Sequence, residues 1–192
     1  MVLSVASSAA ARPKSYTVDP SHTFPSFEVN HANFSIQRGR FNNTRGTITL
    51  DTYAQSGTIE IKIDAGSIDT GLAKLEDNLR AEDFFDVEKH PEITFKSTEL
   101  KFEDKKLVGA QGELTLLGVT KPVSLTVNGF YCGHHPLTLR SQCGADVRTT
   151  IKRSDFGMTY AIPMVGDEVT ISIQIEALED FPLPGPPQAS GP

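Results

Sequence analysis

The chain has 192 residues, of which 38% are hydrophobic and 22% charged, with a net charge of −6 and an isoelectric point near 5.3. That length suits one domain with tails. The acidic balance argues against a nucleic-acid partner, which would need a basic stripe to neutralise phosphates, and no apolar run approaches the length of a membrane span.

The opening stretch, MVLSVASSAAARPK, is small and weakly apolar and lacks a basic start. Residues 1–14 therefore read as a disordered segment, either a signal remnant ending in Ala9-Ala10-Ala11 or a plain unstructured terminus. The folded unit is expected over 15–180. Within it, Phe27, Val29 and His31 share one face of a strand, with Glu28 and Asn30 on the other. After a turn at His31-Ala32-Asn33, Phe34 and Ile36 continue the apolar pattern. Gly39 and Gly46 flank Phe41 and read as bend or bulge positions. Ile48 and Leu50 alternate with Thr47, Thr49 and Asp51, and Ile59, Ile61 and Ile63 alternate with Thr58, Glu60 and Lys62.

The stretch from Ser67 to Ser97 holds the one good helix candidate. Leu72, Leu75 and Leu79 form an inward stripe, while Lys74, Glu76, Asp77 and Arg80 face water. Asp69 or Thr70 is the expected N-cap, and Glu76 with Arg80 adds an i,i+4 pair. Asp83-Phe84-Phe85-Asp86 then sets two phenylalanines in a non-periodic acidic segment, and His90-Pro91 bars further helix. A short helix followed by a double-Phe plug suits either a lid over the end of a barrel or a crossover helix on an ordinary core.

Beyond it, Ile93 and Phe95 differ in parity from Leu100 and Phe102, which requires a bulge or twist between them. A turn follows at Asp104-Lys105-Lys106, then Leu114 and Leu116, then Val123, Leu125 and Val127 in alternation. Cys132 and Cys143 flank GHHPLTLRSQ, whose Pro136 favours a turn, so the two cysteines read as opposite positions of one hairpin. A disulfide there implies an oxidising compartment, the alternative being a reduced cytosolic pair. Ala145, Val147 and Ile151 lead to Arg153-Ser-Asp-Phe-Gly157 and an apolar Met158–Met164 segment, and Val169, Ile171, Ile173 and Ile175 form a last strand. Residues 181–192, rich in Pro and Gly, read as a disordered tail.

This is an all-β pattern of about eight antiparallel strands, each with one apolar face. One short helix cannot cover such a sheet, so it must fold as a sandwich or close as a barrel. Closed at eight strands, its aliphatic and Phe-rich interior would be a dry core or a place for one apolar ligand.

Several pieces occur in a telling order: Tyr16-Thr-Val-Asp-Pro-Ser-His22, Phe27-Glu-Val-Asn-His31, Gly39-Arg-Phe41, Ser67-Ile-Asp-Thr-Gly71, Leu79-Arg-Ala-Glu-Asp-Phe-Phe-Asp86, Pro91-Glu-Ile-Thr-Phe95, Gly112 through Val123, and Arg153-Ser-Asp-Phe-Gly157. Together they resemble the YceI-like family of bacterial polyisoprenoid-binding proteins, over roughly Tyr16 to Glu179. The resemblance implies a lipocalin-like eight-stranded barrel, here with the short helix capping or flanking it. It implies an elongated apolar cavity for a polyisoprenoid such as ubiquinone or a polyprenyl pyrophosphate, with no other cofactor. It further implies secretion to the periplasm and a homodimer for many members, and carries no catalytic residues.

On this reading the protein is not an enzyme but binds, stores or transports a long-chain isoprenoid lipid. The alternatives are a lipid-modifying enzyme and a ligand-free, stress-related barrel. The expected lining comprises Phe27, Val29, His31, Phe34, Ile36, Phe41, Phe84, Phe85, Phe95, Phe156, Met158, Ile162 and Met164. His31 is either a contact for the head group or a core histidine bonded to a backbone carbonyl. A metal at His134-His135 is disfavoured, because adjacent strand residues point to opposite faces and Cys132 is committed to a disulfide. No G-x-S-x-G, H-E-x-x-H or G-x-G-x-x-G motif is present.

Overall fold

The alternating stretches become eleven antiparallel strands in the computed structural model, which describes residues 13–180. The expectations for the two ends fall almost wholly on residues 1–12 and 181–192, outside the described ones. The strands are β1 (Lys14–Val18), β2 (Phe24–His31), β3 (Ser35–Phe41), β4 (Thr44–Asp51), β5 (Ser56–Asp64), β6 (Ile68–Asp69), β7 (Glu92–Glu103), β8 (Lys106–Leu116), β9 (Val119–His134), β10 (Ser141–Lys152) and β11 (Val165–Glu179). The described residues contain one α-helix, α1 (Ala73–Arg80).

Eight of these strands close a barrel in the order β1-β4-β5-β7-β8-β9-β10-β11, with β11 returning to β1. Closure removes the sheet edges that an open sheet of this length would expose. Strand β11 has two partners on one side. Its C-terminal end pairs with β1 through Val18↔Ala177 and Tyr16↔Glu179, and its earlier part pairs with β2 through Phe27↔Ile171 and Val29↔Val169. The β2–β3 hairpin, with β6 on its edge, thus extends the barrel wall beyond the end of β1.

Directly paired residues share a face of the sheet, so the register fixes the inside. Val29, Ile48, Ile59, Phe95, Val127 and Val147 are buried. The parity change in β7 has the expected cause, a register irregularity between Ser97 and Glu99. Gly39 and Gly46 are not bulges: each sits in regular pairing, opposite Phe27 and Ile61. Their role is close approach. A Cβ at Gly39 would lie 2.5 Å from the Phe27 ring, and one at Gly46 would run into the Glu60 carbonyl.

Helix α1 starts differently from the sequence expectation. Neither Asp69 nor Thr70 caps it; the residue before its first turn is Leu72, with no side-chain cap. Instead Glu76 reaches back, its Oε1 accepting from the Thr70 backbone N–H at 2.9 Å, which ties the loop before the helix to its first turn. Arg80 then ties the helix to the preceding loop, donating to the carbonyls of Gly66 (2.9 Å) and Ile68 (3.1 Å). The i,i+4 pair of Glu76 and Arg80 forms at 3.7 Å.

At the far end, Cys132 and Cys143 are directly paired in the β9–β10 hairpin and form a disulfide, with α-carbons 4.1 Å apart. Since the His135 N–H donates to the Arg140 carbonyl (2.9 Å), alternation along the ladder makes 132–143 a non-hydrogen-bonded pair, the close kind. A loop this short supports about 3 kcal/mol of stabilisation on the chain-entropy account.

Two apolar clusters make up the interior walls. One, around Tyr16, Ile48, Phe95, Leu107, Val127 and Val147, occupies the middle and the disulfide end. The other, around Phe41, Ile68, Leu79, Ile93, Phe156 and Met158, lies beneath the helix.

Candidate functional site

The inward faces do not meet across the barrel. They enclose a cavity of about 510 Å³, in the size range of small-molecule sites. Its lining runs from Leu75, Leu79, Phe84 and Phe85 at the helix end, past Phe95, Leu125 and Val127, to Phe130, Cys143 and Ala145 at the disulfide end. On β9 alone the lining positions Val123 to Phe130 span about 23 Å of strand at roughly 3.3 Å per residue. With the ordinary strand tilt this gives about 16–19 Å along the barrel axis. The cavity is therefore long and narrow, which is what alternation along tilted strands makes when inward residues are Val, Ile, Leu and Phe rather than Trp.

Of the lining residues expected from sequence, Phe27, Val29, His31, Phe41, Phe84, Phe85, Phe95 and Met158 face the cavity. Five stand outside it and are corrected here. Ile36 pairs with Asn30, so it shares that residue's outer face, and the inward position of β3 is Gln37, opposite Val29. Phe34 lies in the turn after Ala32 and Asn33, both with positive φ, and is 92% exposed. Ile162 and Met164 belong to the turn that precedes β11, where the Met164 carbonyl accepts from the Ala32 N–H and the Met164 side chain stays exposed. Phe156 is absent from the lining for another reason: it is fully buried in the cluster beneath the helix, which it shares with Met158.

The double-Phe segment packs inward. Phe85 meets Phe41 edge-on with ring centroids 5.4 Å apart, and Phe84 meets Tyr160 at 5.4 Å in the same manner. The Phe85 N–H donates to the Leu79 carbonyl and the Val87 N–H to the Arg80 carbonyl, so the segment is bound to the end of α1. Leu72 and Lys74, both exposed, stand on the rim.

Several polar groups of the lining gather toward this end, while Tyr16 and Thr23 lie toward the other. At the helix end His31 is exposed, and its ring has no hydrogen bond among the described residues, so it is not a core histidine held by a carbonyl. Gln37 comes from β3, and Lys74 and Asn78 from α1. Arg153 lines the cavity while only 3% exposed. Its guanidinium donates to three backbone carbonyls, those of Gly166 (2.8 Å), Met158 (3.1 Å) and Val165 (3.0 Å). Burial pushes its pKa down and nearby Asp167 opposes that shift. Asp167 is itself held below the usual carboxylate range, first by the Ser154 backbone N–H. At the other end of the barrel, burial pushes the Tyr16 phenol up.

Sequence reasoning passed over Gln37, Asn78 and Thr44, which also line the cavity. Thr44 carries a readable signal, because it shares the parity of Ile48 and Leu50 on one strand. Gln37 does not, since its face depends on register across the hairpin. Among the described residues no group of three or more His, Cys, Asp or Glu side chains could hold a metal ion, and no helix there is long and apolar enough to cross a membrane.

Comparisons with known proteins agree with this geometry. The model of the YceI-like domain matches residues 16–177. A UPF0312 protein of Pectobacterium carotovorum is 34% identical over 178 residues, covering 92% of each chain. Among solved structures, BcnA of Burkholderia cenocepacia superposes with a TM-score of 0.67 at 25% identity, covering 83% of this chain and 98% of BcnA. A polyisoprenoid binding domain from Saccharophagus degradans shares the fold, with a TM-score of 0.64 at 16% identity over 87% of this chain and 99% of that domain.

Proposed function

We propose, because this chain belongs to the YceI-like domain family and encloses a long apolar cavity, that it is a non-catalytic binding protein for a long-chain isoprenoid lipid of the quinone or polyprenyl type. The observation that carries the reading is the cavity itself. A side-chain-filled barrel of the same strands would have no such space, and a site for a polar substrate would bring several hydrogen-bonding groups inside.

The mechanism is burial. Each methylene-sized group leaving water contributes about 0.8 kcal/mol, less the ordering of a flexible chain. Close-fitting aliphatic walls suit a chain whose shape is regular and whose surface is uniformly apolar. The head group lies at the helix end, where His31, Gln37, Lys74 and Asn78 supply polar contacts. The helix and Phe84-Phe85 act as a lid over that end, and storage or transport follows from slow release rather than from any chemical step.

The Cys132–Cys143 disulfide supports an oxidising compartment, and with the family resemblance this makes the periplasm the proposed location and a homodimer the proposed assembly. The test is organic extraction of the purified protein followed by mass spectrometry. The expected result is one isoprenoid species recovered chemically unchanged, in proportion to protein. Recovery of a converted product, or of polar metabolites in its place, would reject the reading.

A further inference from the structure

The lining itself marks where the cavity opens. Among the described residues, its exposed positions are His31 at the end of β2 and Leu72, Lys74 and Asn78 at α1, so the mouth lies between the helix and the β2–β3 hairpin. Beside it two turns meet, residues 31–34 and 159–165, tied by the Ala32 N–H and the Met164 carbonyl at 2.6 Å. They hold large apolar side chains out in solvent: Phe34 is 92% exposed, Met164 69% and Tyr160 53%, with Ile36 and Ile162 also exposed. In a chain that is 22% charged, neither stretch that meets here, 29–37 or 156–166, contains Asp, Glu, Lys or Arg. The backbone of the turns is closed on itself as well. The N–H groups of Ala32, Phe34, Ile162 and Val165 donate to carbonyls within the two turns, and that of Asn33 to the Asn30 side chain at 3.0 Å. Pro163 has no N–H to satisfy.

We infer that these two turns are a membrane-docking edge, which seats the cavity mouth against a lipid bilayer so that the bound chain passes between bilayer and barrel without crossing water. The choice of partner rests on the proposed lipid-binding function, since a long apolar chain has to be taken from a lipid phase and returned to one. The chemistry of the turns fits that phase. Exposed aromatic, aliphatic and Met side chains gain by entering the boundary between headgroups and acyl chains. Backbone donors that already have partners lose little on leaving water. Charge decides which membrane is favoured. The exposed acids Asp77, Glu82 and Asp83 stand on α1 and the segment after it, with Lys74 at the rim, so anionic phosphates gain nothing here and docking is driven by apolar burial. The disulfide end is not equivalent. Leu137 and Leu139 are exposed there, but Arg140 shares their turn, and among the described residues no lining position at that end is exposed.

The test is co-sedimentation of the delipidated protein with phosphatidylcholine vesicles, wild type beside Phe34→Ser and the double variant Phe34→Ser/Met164→Ser. Both side chains are exposed and neither lines the cavity, so the variants should melt with wild type and bind a soluble short-chain prenyl alcohol unchanged. Wild type is expected to bind the vesicles equally at low and high salt, and no more tightly when phosphatidylglycerol is added. The single variant should bind them about tenfold more weakly and the double variant about fiftyfold. Loading of the double variant from vesicles that carry a fluorescent prenyl lipid should slow to match. A wild type that stays in solution, variants that sediment as well as it does, or binding that needs anionic lipid and disappears in salt overturns the inference. A wild-type dimer in solution that the double variant abolishes overturns it too, because the turns would then be an interface between copies of this chain. The prenyl alcohol keeps the two readings apart. Its failure to bind wild type rejects the lipid-binding function, whereas its binding without vesicle capture rejects the docking edge alone.

Discussion

Replacing Arg153 with alanine is expected to lower stability by about 3–5 kcal/mol, a large fraction of what a domain of this size has. The reason is geometric. The guanidinium bridges the carbonyl of Met158 and those of Val165 and Gly166, the last two at the start of β11, where its pairing with β2 is irregular. Truncation leaves buried carbonyls unmatched at once. It also releases the 159–165 turn, to which the β2–β3 hairpin is attached through the Ala32 N–H and the Met164 carbonyl (2.6 Å). Arg153→Lys should recover only part of the loss, because one ammonium cannot reproduce a planar fork of donors. Urea unfolding measures this as a lower midpoint with an unchanged slope. A loss under about 1 kcal/mol for the alanine variant would show that the arginine is not the staple its contacts describe.

The second large effect is on kinetics. Changing Phe84 and Phe85 together to serine should speed release of a bound lipid by about thirtyfold, which corresponds to ~2 kcal/mol, while lowering the stability of the empty protein by less than that. Both rings are half-buried and belong to the cavity wall, with Phe41 and Tyr160 as their ring partners. Buried phenylalanines in a packed core contribute about 1.5–3 kcal/mol each when fully covered. Here much of their apolar surface faces the cavity, so its covering depends on the ligand. The helix stays anchored in the double variant, because Arg80 still reaches Gly66 and Ile68. Stopped-flow displacement of a fluorescent prenyl probe, read beside urea unfolding of the empty protein, separates the two quantities. Equal loss in both would make the segment ordinary core.

How much of this was legible in the sequence depends on which physical rule decided each residue. Strand parity is local, and it placed Phe27, Val29, Ile48, Ile59, Val127 and Ile173 inside without reference to any partner. The Cys132–Cys143 pair was legible for a similar reason, because a short separation around Pro136 leaves a hairpin few registers. Ile36 failed because its face is set by pairing with Asn30 across the β2–β3 turn, and two positive-φ residues in that turn shift the phase that simple alternation would carry forward. Phe34 and Met164 failed by being apolar residues in turns, where hydrophobicity does not report burial. The helix start failed because Asp69 and Thr70 are engaged before the helix begins, Asp69 accepting from the Gly71 N–H and Thr70 donating to Glu76, while the helix starts after Leu72 with no side-chain cap. Arg153 could not be read at all: nothing in Arg-Ser-Asp-Phe-Gly announces that its guanidinium donates to three backbone carbonyls.

The central claim is that a single apolar chain is bound by being taken out of water along the length of the barrel. Native mass spectrometry of the delipidated protein with a series of prenyl alcohols of increasing length tests it most directly. Affinity should rise steeply with each added isoprene unit while new carbons enter the cavity. It should level off once the chain fills the cavity, whose lining on β9 alone spans roughly 16–19 Å along the barrel axis, with a stoichiometry of one throughout. Affinity that does not depend on chain length would contradict the account, as would several short chains bound at once in place of one long one.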